Sequence, residues 1–178
     1  ILGAKFNVGS YSLFDSKVYC LAGDGCMMEG VSAEASSLAG HLGLGNLVVI
    51  YDANKICLDG PISECLSEDT KMRYIAYGWD VVELDGYDFD AMQQAFTKIH
   101  DHQKRPTLVI LHTIIGKGSP NKAGTHKVHG SPLGAEEVEA TKKALGLPEE
   151  DFFVPPVVEQ FFAARLKEGE ELEKKWNH

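Results

Sequence analysis

The sequence predicts an α/β fold: a doubly wound, mostly parallel sheet with helices on both faces. Two observations carry this expectation. Four short apolar, β-branched runs, Lys17 to Ala22, Leu47 to Asp52, Trp79 to Leu84 and Thr107 to His112, have the length of buried strands. Between them lie longer segments whose apolar residues recur at helical spacing. Strand and helix in alternation is the pattern of a parallel sheet joined by covering helices, and its crossovers are expected to be right-handed.

Taken in order, "ILGAKFN" reads as the end of a helix running into a loop, and with Ile1 in place of Met the chain is expected to start inside a larger protein. After the first strand, Met28, Val31, Ala35, Leu38 and Leu42 form one helix face. The small residues Ala33, Ala39 and Gly40 allow neighbouring backbones to approach, and Gly43 and Gly45 end the helix. After the second strand, Ser67 is expected to cap a helix over Glu68 to Tyr77, stopped by Gly78. A third helix runs from about Asp88 to His102, with Phe89, Met92, Phe96 and Ile99 on one side. Pro106 opens the fourth strand, a position where proline is tolerated. Thr113 to Gly134 is a long loop with five glycines, three lysines (Lys117, Lys122, Lys127) and no acid. Helices are expected again over Glu136 to Leu145 and Val157 to Lys167, with "KEGEELEKKW" as a solvated, charged end.

The bulk numbers narrow the function classes. With 178 residues and 44 % hydrophobic content the chain can bury a core. A net charge of −9 argues against nucleic acid and anionic membrane as partners. No apolar run reaches the roughly 20 residues a bilayer span needs, and no secretory signal is visible in residues 1 to 20. Cys20, Cys26, Cys57 and Cys65 form no CxxC pair and read as buried, reduced thiols, which gives a cytoplasmic expectation.

In open parallel sheets, ligands bind outside the carboxyl ends of the strands. Asp24 follows the first strand, in "GDG", and Asn54 follows the second, in "YDANKI". One helix and one strand separate them, so both reach the same sheet edge. A carboxylate and an amide oxygen are hard donors, suited to Mg2+ or Ca2+ and not to zinc. Two side chains make an incomplete cage, which Mg2+ typically completes with waters and phosphate oxygens. A helix starting near Met27 would aim its positive end there, and Gly23 and Gly25 would admit an anion to the backbone N–H groups.

The string "GDGCMMEGVSAEASSLAGHLGLGNLVVIYDANKI" is similar to the thiamine-diphosphate signature, GDG followed about thirty residues later by Asn. "EGVSAEASSLAGHLGLGNL", "AYGWDVVELDG", "TIIGKGSPNKAGTHKVHGSPLG" and the closing "KW" resemble the transketolase family, from about Ala4 to the end of the chain. The resemblance implies a thiamine-diphosphate-binding fold. It gives residues 1–150 as a diphosphate-binding α/β domain lacking its N-terminal part. Residues 151–178 would be a helical extension leading to a pyrimidine-binding domain that is not found here. It also implies thiamine diphosphate and Mg2+ as cofactors, with Ca2+ a possible substitute. The reaction would move a two-carbon ketol unit from a ketose phosphate to an aldose phosphate in a homodimeric enzyme of the pentose phosphate pathway. Asp24 and Asn54 match metal ligands by side chain and Ile56 by its carbonyl. Gly23 and Gly25 match backbone contacts to the diphosphate. Glu29 and Glu34 match interface acids that couple paired cofactor sites, Glu29 counting as catalytic. Leu58 and Ile115 match apolar contacts to the thiazolium region. His129 matches a catalytic residue at the diphosphate and reacting carbons. Ala53 departs from the more polar residue usual before the asparagine.

Each residue has a plainer alternative. Asn54 would serve as a turn residue, Glu29 as a complement to a helix N-terminus and Glu34 as an exposed acid. Leu58 and Ile115 would be core, and the loop lysines solvated charges. Because the pyrimidine-binding half is not found, this chain alone is expected to have no ketol-transfer activity. The competing functions are a related synthase of the deoxyxylulose-phosphate type and a non-catalytic module binding metal and diphosphate.

Overall fold

All four apolar runs become strands, each end falling within one residue of expectation: β1 (Val18–Gly23), β2 (Leu47–Ala53), β3 (Asp80–Asp85) and β4 (Thr107–His112). The computed structural model describes residues 2–10 and 12–177; Ile1, Tyr11 and His178 lie outside it. The strands pair in parallel in the order β1-β2-β4-β3. Gly23 stands opposite Asp52, and Ala53 opposite His112. That register brings the carboxyl ends of β1, β2 and β4 level, which is what places the loops that follow them together.

Side chains alternate across each strand, and the two faces bury different helices. Tyr51, Ala53, Leu108 and Ile110 pack with Met27 of α2 (Asp24–Met28), Ala39 of α3 (Gly30–His41) and Tyr74 of α4 (Thr70–Ala76). On the other face, Val48 and Val109 pack with Ile99 and Phe96 of α5 (Phe89–His102). The chain steps from β1 to β2 to β3 in one direction on the first face. It then reverses from β3 to β4 on the second. Reversal of direction together with a change of face keeps all three crossovers the same hand, as expected for parallel units.

The helix after β1 differs from expectation in two ways. It begins at Asp24 and breaks at Glu29, whose extended backbone (ψ 134°) separates α2 from α3. The apolar stripe is real but faces outward: Val31 (68 % exposed), Ala35, Leu38 and Leu42 are exposed, while Ser36 and Ala39 are buried. Small residues face the sheet because the helix lies close to its neighbour. A Cβ on Gly40 would overlap the Tyr77 carbonyl. The Trp79 Nε1–H donates to the Ser36 carbonyl (2.8 Å), and the Ser36 and Tyr74 hydroxyls share a 2.9 Å hydrogen bond.

Smaller corrections have local causes. Asp69, not Ser67, caps α4, its carboxylate accepting the Met72 N–H at 3.0 Å. Asp88 caps α5 through the Ala91 N–H (2.9 Å), and Phe89, just inside that cap, is exposed and not on the buried side. The thiols are not buried: Cys20, Cys26 and Cys65 are exposed and Cys57 is half-buried. Cys20 lies on the edge strand β1, which has one neighbour and whose apolar residues Val18, Tyr19 and Leu21 are exposed.

At the N-terminus, α1 (Leu2–Phe6) is a single short turn of helix, as "ILGAKFN" suggested. Beyond the sheet, α6 (Ala135–Leu145) ends at Gly146 in the left-handed conformation (φ 67°), a common helix stop. The charged tail is solvated but helical: α7 (Pro156–Trp176) continues well past Lys167 and is exposed along its whole length. Its Glu and Lys residues are good helix formers, and pairs such as Arg165–Glu168 and Lys174–Glu171 support the exposed turns. No helix among the described residues is long and apolar enough to cross a membrane.

Candidate functional site

Asp24 opens α2 directly after β1 and is 2 % exposed. A carboxylate so buried needs donors, and β2 with its following turn supplies them. The Tyr51 hydroxyl donates to Asp24 Oδ1 at 2.6 Å. The backbone N–H groups of Asn54 and Lys55 donate to Asp24 Oδ2 at 3.0 and 2.9 Å. Burial first, and then the bond to Asp24, push the Tyr51 phenol well above its usual range, so it remains a donor.

The turn after β2 is organised by two carboxylates and one amide. Asn54 Oδ1 accepts the Ile56 N–H at 3.0 Å, a side-chain-to-backbone turn typical of Asn. Lys55 has a positive φ of 66°, unusual for a residue with a side chain. Asp52, at the end of β2, receives the Thr113 hydroxyl and lies 3.5 Å from Asn54 Nδ2. Thr113 thereby ties the loop after β4 to the same edge, and its N–H also donates to the Ala53 carbonyl (3.3 Å).

The structure therefore brings together Gly23, Asp24, Gly25, Asn54 and Ile56. Cys57 Sγ sits against Gly25, 3.5 Å from where a Cβ would be. Leu58 lies a few residues along the same turn and is 64 % exposed, which excludes a plain core role. Ile115, half-buried, follows the Thr113 anchor. Glu29 and Glu34 are exposed, and Glu29 makes no side-chain capping bond to α3. His129 ends the 3₁₀ turn His126–Val128, and its Nδ1 is buried with no partner among the described residues. Its neighbour Val128 packs against Gly116, so the histidine is carried on the segment that begins with Thr113 and Ile115.

That long loop is braced rather than loose. Glu137 of α6 is buried, and its carboxylate takes the Ser119 hydroxyl, the Asn121 N–H (2.9 Å) and the Asn121 side-chain amide (2.9 Å). The Ser119 bond above all, then the two from Asn121, lower its carboxyl to about 2. Lys122 Nζ donates to the Leu133 carbonyl (2.7 Å), and Lys117 Nζ stands 2.9 Å from the centre of the Tyr87 ring. Two of the three loop lysines thus hold the loop's shape, and Lys127 is exposed.

The donor set fits a hard cation. Among the described residues no three His, Cys, Asp or Glu side chains gather, so any cation here would rely on Asp24 plus neutral oxygens. Among the described residues Asp24 Oδ1 and Asn54 Oδ1 each have one protein donor, which leaves acceptor capacity on both. A cavity of about 630 Å³ bounded by Leu2, Phe14, Val18 and Leu47 lies at the opposite, amino edge of the sheet and shares no residue with this cluster.

Sequence reading missed Tyr51 and Glu137. Tyr51 had a signal: a hydroxyl within the apolar run "LVVIY" must find a partner once buried. Glu137 had a weaker one, an acid in the first turn of the helix that follows a loop rich in Gly, Ser and Asn.

Parallel strands, helices on both faces and an acid-and-amide turn at the carboxyl edge define an α/β domain of the class that binds its ligands beyond the strand ends. The family model described as transketolase, thiamine diphosphate binding domain, matches residues 1–178. The chain is 46 % identical to a transketolase of Bacillus subtilis over 99 % of its length, and 44 % identical to transketolase 10 of Craterostigma plantagineum. Its fold superimposes on a Pichia stipitis transketolase in complex with sedoheptulose-7-phosphate (TM-score 0.90, 43 % identity, 99 % of this chain and 26 % of that one). Transketolase from Leishmania mexicana matches with a TM-score of 0.91 at 37 % identity. The chain belongs to the transketolase family, within its thiamine-diphosphate-binding domain. It spans about a quarter of the length of these relatives, 27 % of the Bacillus subtilis protein.

Proposed function

We propose that this chain is the diphosphate- and metal-holding part of a transketolase, which transfers a two-carbon ketol unit from a ketose phosphate to an aldose phosphate. The observation that supports the reading is the bond from the Asn54 backbone N–H to Asp24, which ties the turn after β2 to the carboxylate that follows β1. Asp24, Asn54 and the Ile56 carbonyl would hold Mg2+ (Ca2+ a possible substitute), and the backbone at Gly23 and Gly25 would meet the diphosphate. When bound, thiamine diphosphate supplies the electron sink for breaking and forming sugar carbon–carbon bonds.

The chain's own residues would orient and exclude. Leu58 and Ile115 would cover the thiazolium region with apolar surface. His129, with Nδ1 lacking a partner among the described residues, would bind substrate oxygens or move a proton at them. Glu29 and Glu34, exposed beside the outward apolar face of α3, would meet a second subunit in a homodimer. The exposed edge of β1 and that helix face support further protein covering this side. Residues 1–150 would form the diphosphate-binding domain, and 151–178 a helical extension towards a pyrimidine-binding domain. The setting would be the cytoplasm and the pentose phosphate pathway. The relatives named above are all transketolases, which does not favour the deoxyxylulose-phosphate synthase reading.

Calorimetric titration with thiamine diphosphate and Mg2+, with and without a transketolase pyrimidine-binding domain, tests the proposal. Binding that tightens on complementation, with no ketol transfer by the chain alone, is expected. Turnover by the chain alone, or no binding in either arm, overturns it.

A further inference from the structure

We infer that Tyr87, on the turn after β3, is a positioning residue that fixes the direction in which the chain leaves β4 and so aims Ile115 at the thiazolium region. The inference rests on the reading of Ile115 as an apolar cover for that region. The Tyr87 hydroxyl reaches both backbone groups of Ile114. It accepts the Ile114 N–H at 2.8 Å and donates to the Ile114 carbonyl at 3.4 Å. A phenolic hydroxyl can do both at once, because it is donor and acceptor. Each peptide unit is a rigid plane, so one side chain holds the two planes that flank Ile114 and restrains the rotations between them. Ile115 is the next residue.

The other anchors of the long loop do not reach this point. The bonds of Thr113 to Ala53 and Asp52 act on its own N–H and hydroxyl. Both lie upstream of the peptide that joins it to Ile114 and leave the rotation of that peptide free. Downstream, Gly116 (φ 64°) and Gly118 (φ 93°) separate Ile115 from the brace that Glu137 makes to Ser119. Glycine backbone is permissive and transmits orientation poorly. The remaining described backbone bonds to the pair run from the Lys117 N–H to the Ile114 carbonyl (3.1 Å) and from the Gly124 N–H to the Ile115 carbonyl (2.8 Å). Both come from within the loop and move with it. Tyr87 is tied to the sheet instead. Its N–H donates to Asp85 Oδ1 (2.9 Å) at the end of β3, and the Gly86 N–H donates to the His112 carbonyl (2.9 Å) at the end of β4. A Cβ on Gly86 would overlap the Thr113 methyl, so this turn lies directly against the start of the loop.

The test is Tyr87→Phe, which keeps the ring and its cation–π contact with Lys117. Calorimetry at saturating Mg2+ measures thiamine diphosphate and, separately, inorganic diphosphate, which has the anion and no ring. Both are titrated into the form of the chain that binds the cofactor, alone or complemented with a transketolase pyrimidine-binding domain. Loss of one neutral hydrogen bond corresponds to about 3- to 10-fold in affinity; this is expected for thiamine diphosphate, with inorganic diphosphate changed by less than about twofold. Equal weakening of both, or unchanged thiamine diphosphate affinity, overturns the positioning role and leaves the reading of the site standing. A parent chain that binds neither overturns that reading and this inference together. Amide hydrogen exchange gives a second measurement that needs no variant. The Tyr87 hydroxyl is the described acceptor of the Ile114 N–H, so that amide should exchange more slowly than a free one in the parent chain. An Ile114 amide that exchanges as fast as a free one overturns the inference.

Discussion

The Lys55 N–H donates to the Asp24 carboxylate at 2.9 Å, and Lys55 holds a positive φ of 66° in doing so. The carboxylate thus holds a strained turn in place from the end of a different strand. Asp24→Ala removes the acceptor for three donors, one of them the buried Tyr51 hydroxyl. Unmade buried bonds cost about 1–3 kcal/mol each, less where water can reach the donor, so a loss of about 2–3 kcal/mol is expected. Asp24→Asn keeps one acceptor oxygen and should lose roughly half as much. Urea unfolding midpoints measure both; equal stability of Asp24→Ala and the parent chain would show that the carboxylate does not hold the turn.

Gly40 presents two opposed effects of similar kind. In a helix interior, Gly→Ala gains about 1 kcal/mol from backbone entropy. Here the new methyl would overlap the Tyr77 carbonyl, a backbone atom that cannot swing aside. Overpacking of this sort costs about 1–3 kcal/mol or more, so the clash wins. Gly40→Ala is expected to lower the thermal midpoint, and near-ultraviolet circular dichroism of the adjacent Trp79 should change with it.

Most of the scaffold was legible because strand length and helical spacing are local. The four strands, the helix start near Asp88, the stop at Gly78 and the close approach at Gly40 all follow from short segments. The direction of α3's apolar stripe was not legible. Val31, Leu38 and Leu42 mark an amphipathic helix, but periodicity does not say which face meets this sheet, and the small residues Ser36 and Ala39 won that contact. The pairing of Asp24 with the turn after β2 could be inferred from topology. The role of Tyr51 and the brace from Glu137 to Ser119 could not, because they depend on tertiary contacts between residues far apart in the chain.

The helix α7 is exposed on every side, including Val157, Phe161, Phe162, Leu166 and Trp176. It contributes no buried contact to the sheet. Deleting residues 156–178 is therefore expected to change the unfolding free energy of the remainder by less than about 0.5 kcal/mol, the range for surface changes. Removing so much exposed apolar surface should also reduce self-association. Urea melts and light scattering on the shortened chain report the two effects separately, and a large loss of stability would mean that α7 docks on the sheet domain in solution.

Glu137 makes the long loop pH-sensitive in a definite direction. Its carboxyl is lowered to about 2 by the Ser119 bond first and then by Asn121, from a usual value of 4.5. A depressed carboxyl stabilises the fold above its unfolded value and loses that contribution as pH falls through the folded one. The contribution is thus complete above 4.5 and declines between 4.5 and about 2. Amide hydrogen exchange at Gly118 to Lys122, corrected for the intrinsic pH effect and referenced to β4 amides, should show loop protection falling across that window. Glu137→Gln retains one acceptor but cannot ionise, so its protection should already be lower at pH 6 and stay flat down to acid pH. If the variant and the parent chain lose loop protection along the same acid curve, the carboxylate is not what closes the loop, and the positioning of Ile115 and His129 must come from the Thr113 anchor and the Lys117 and Lys122 contacts.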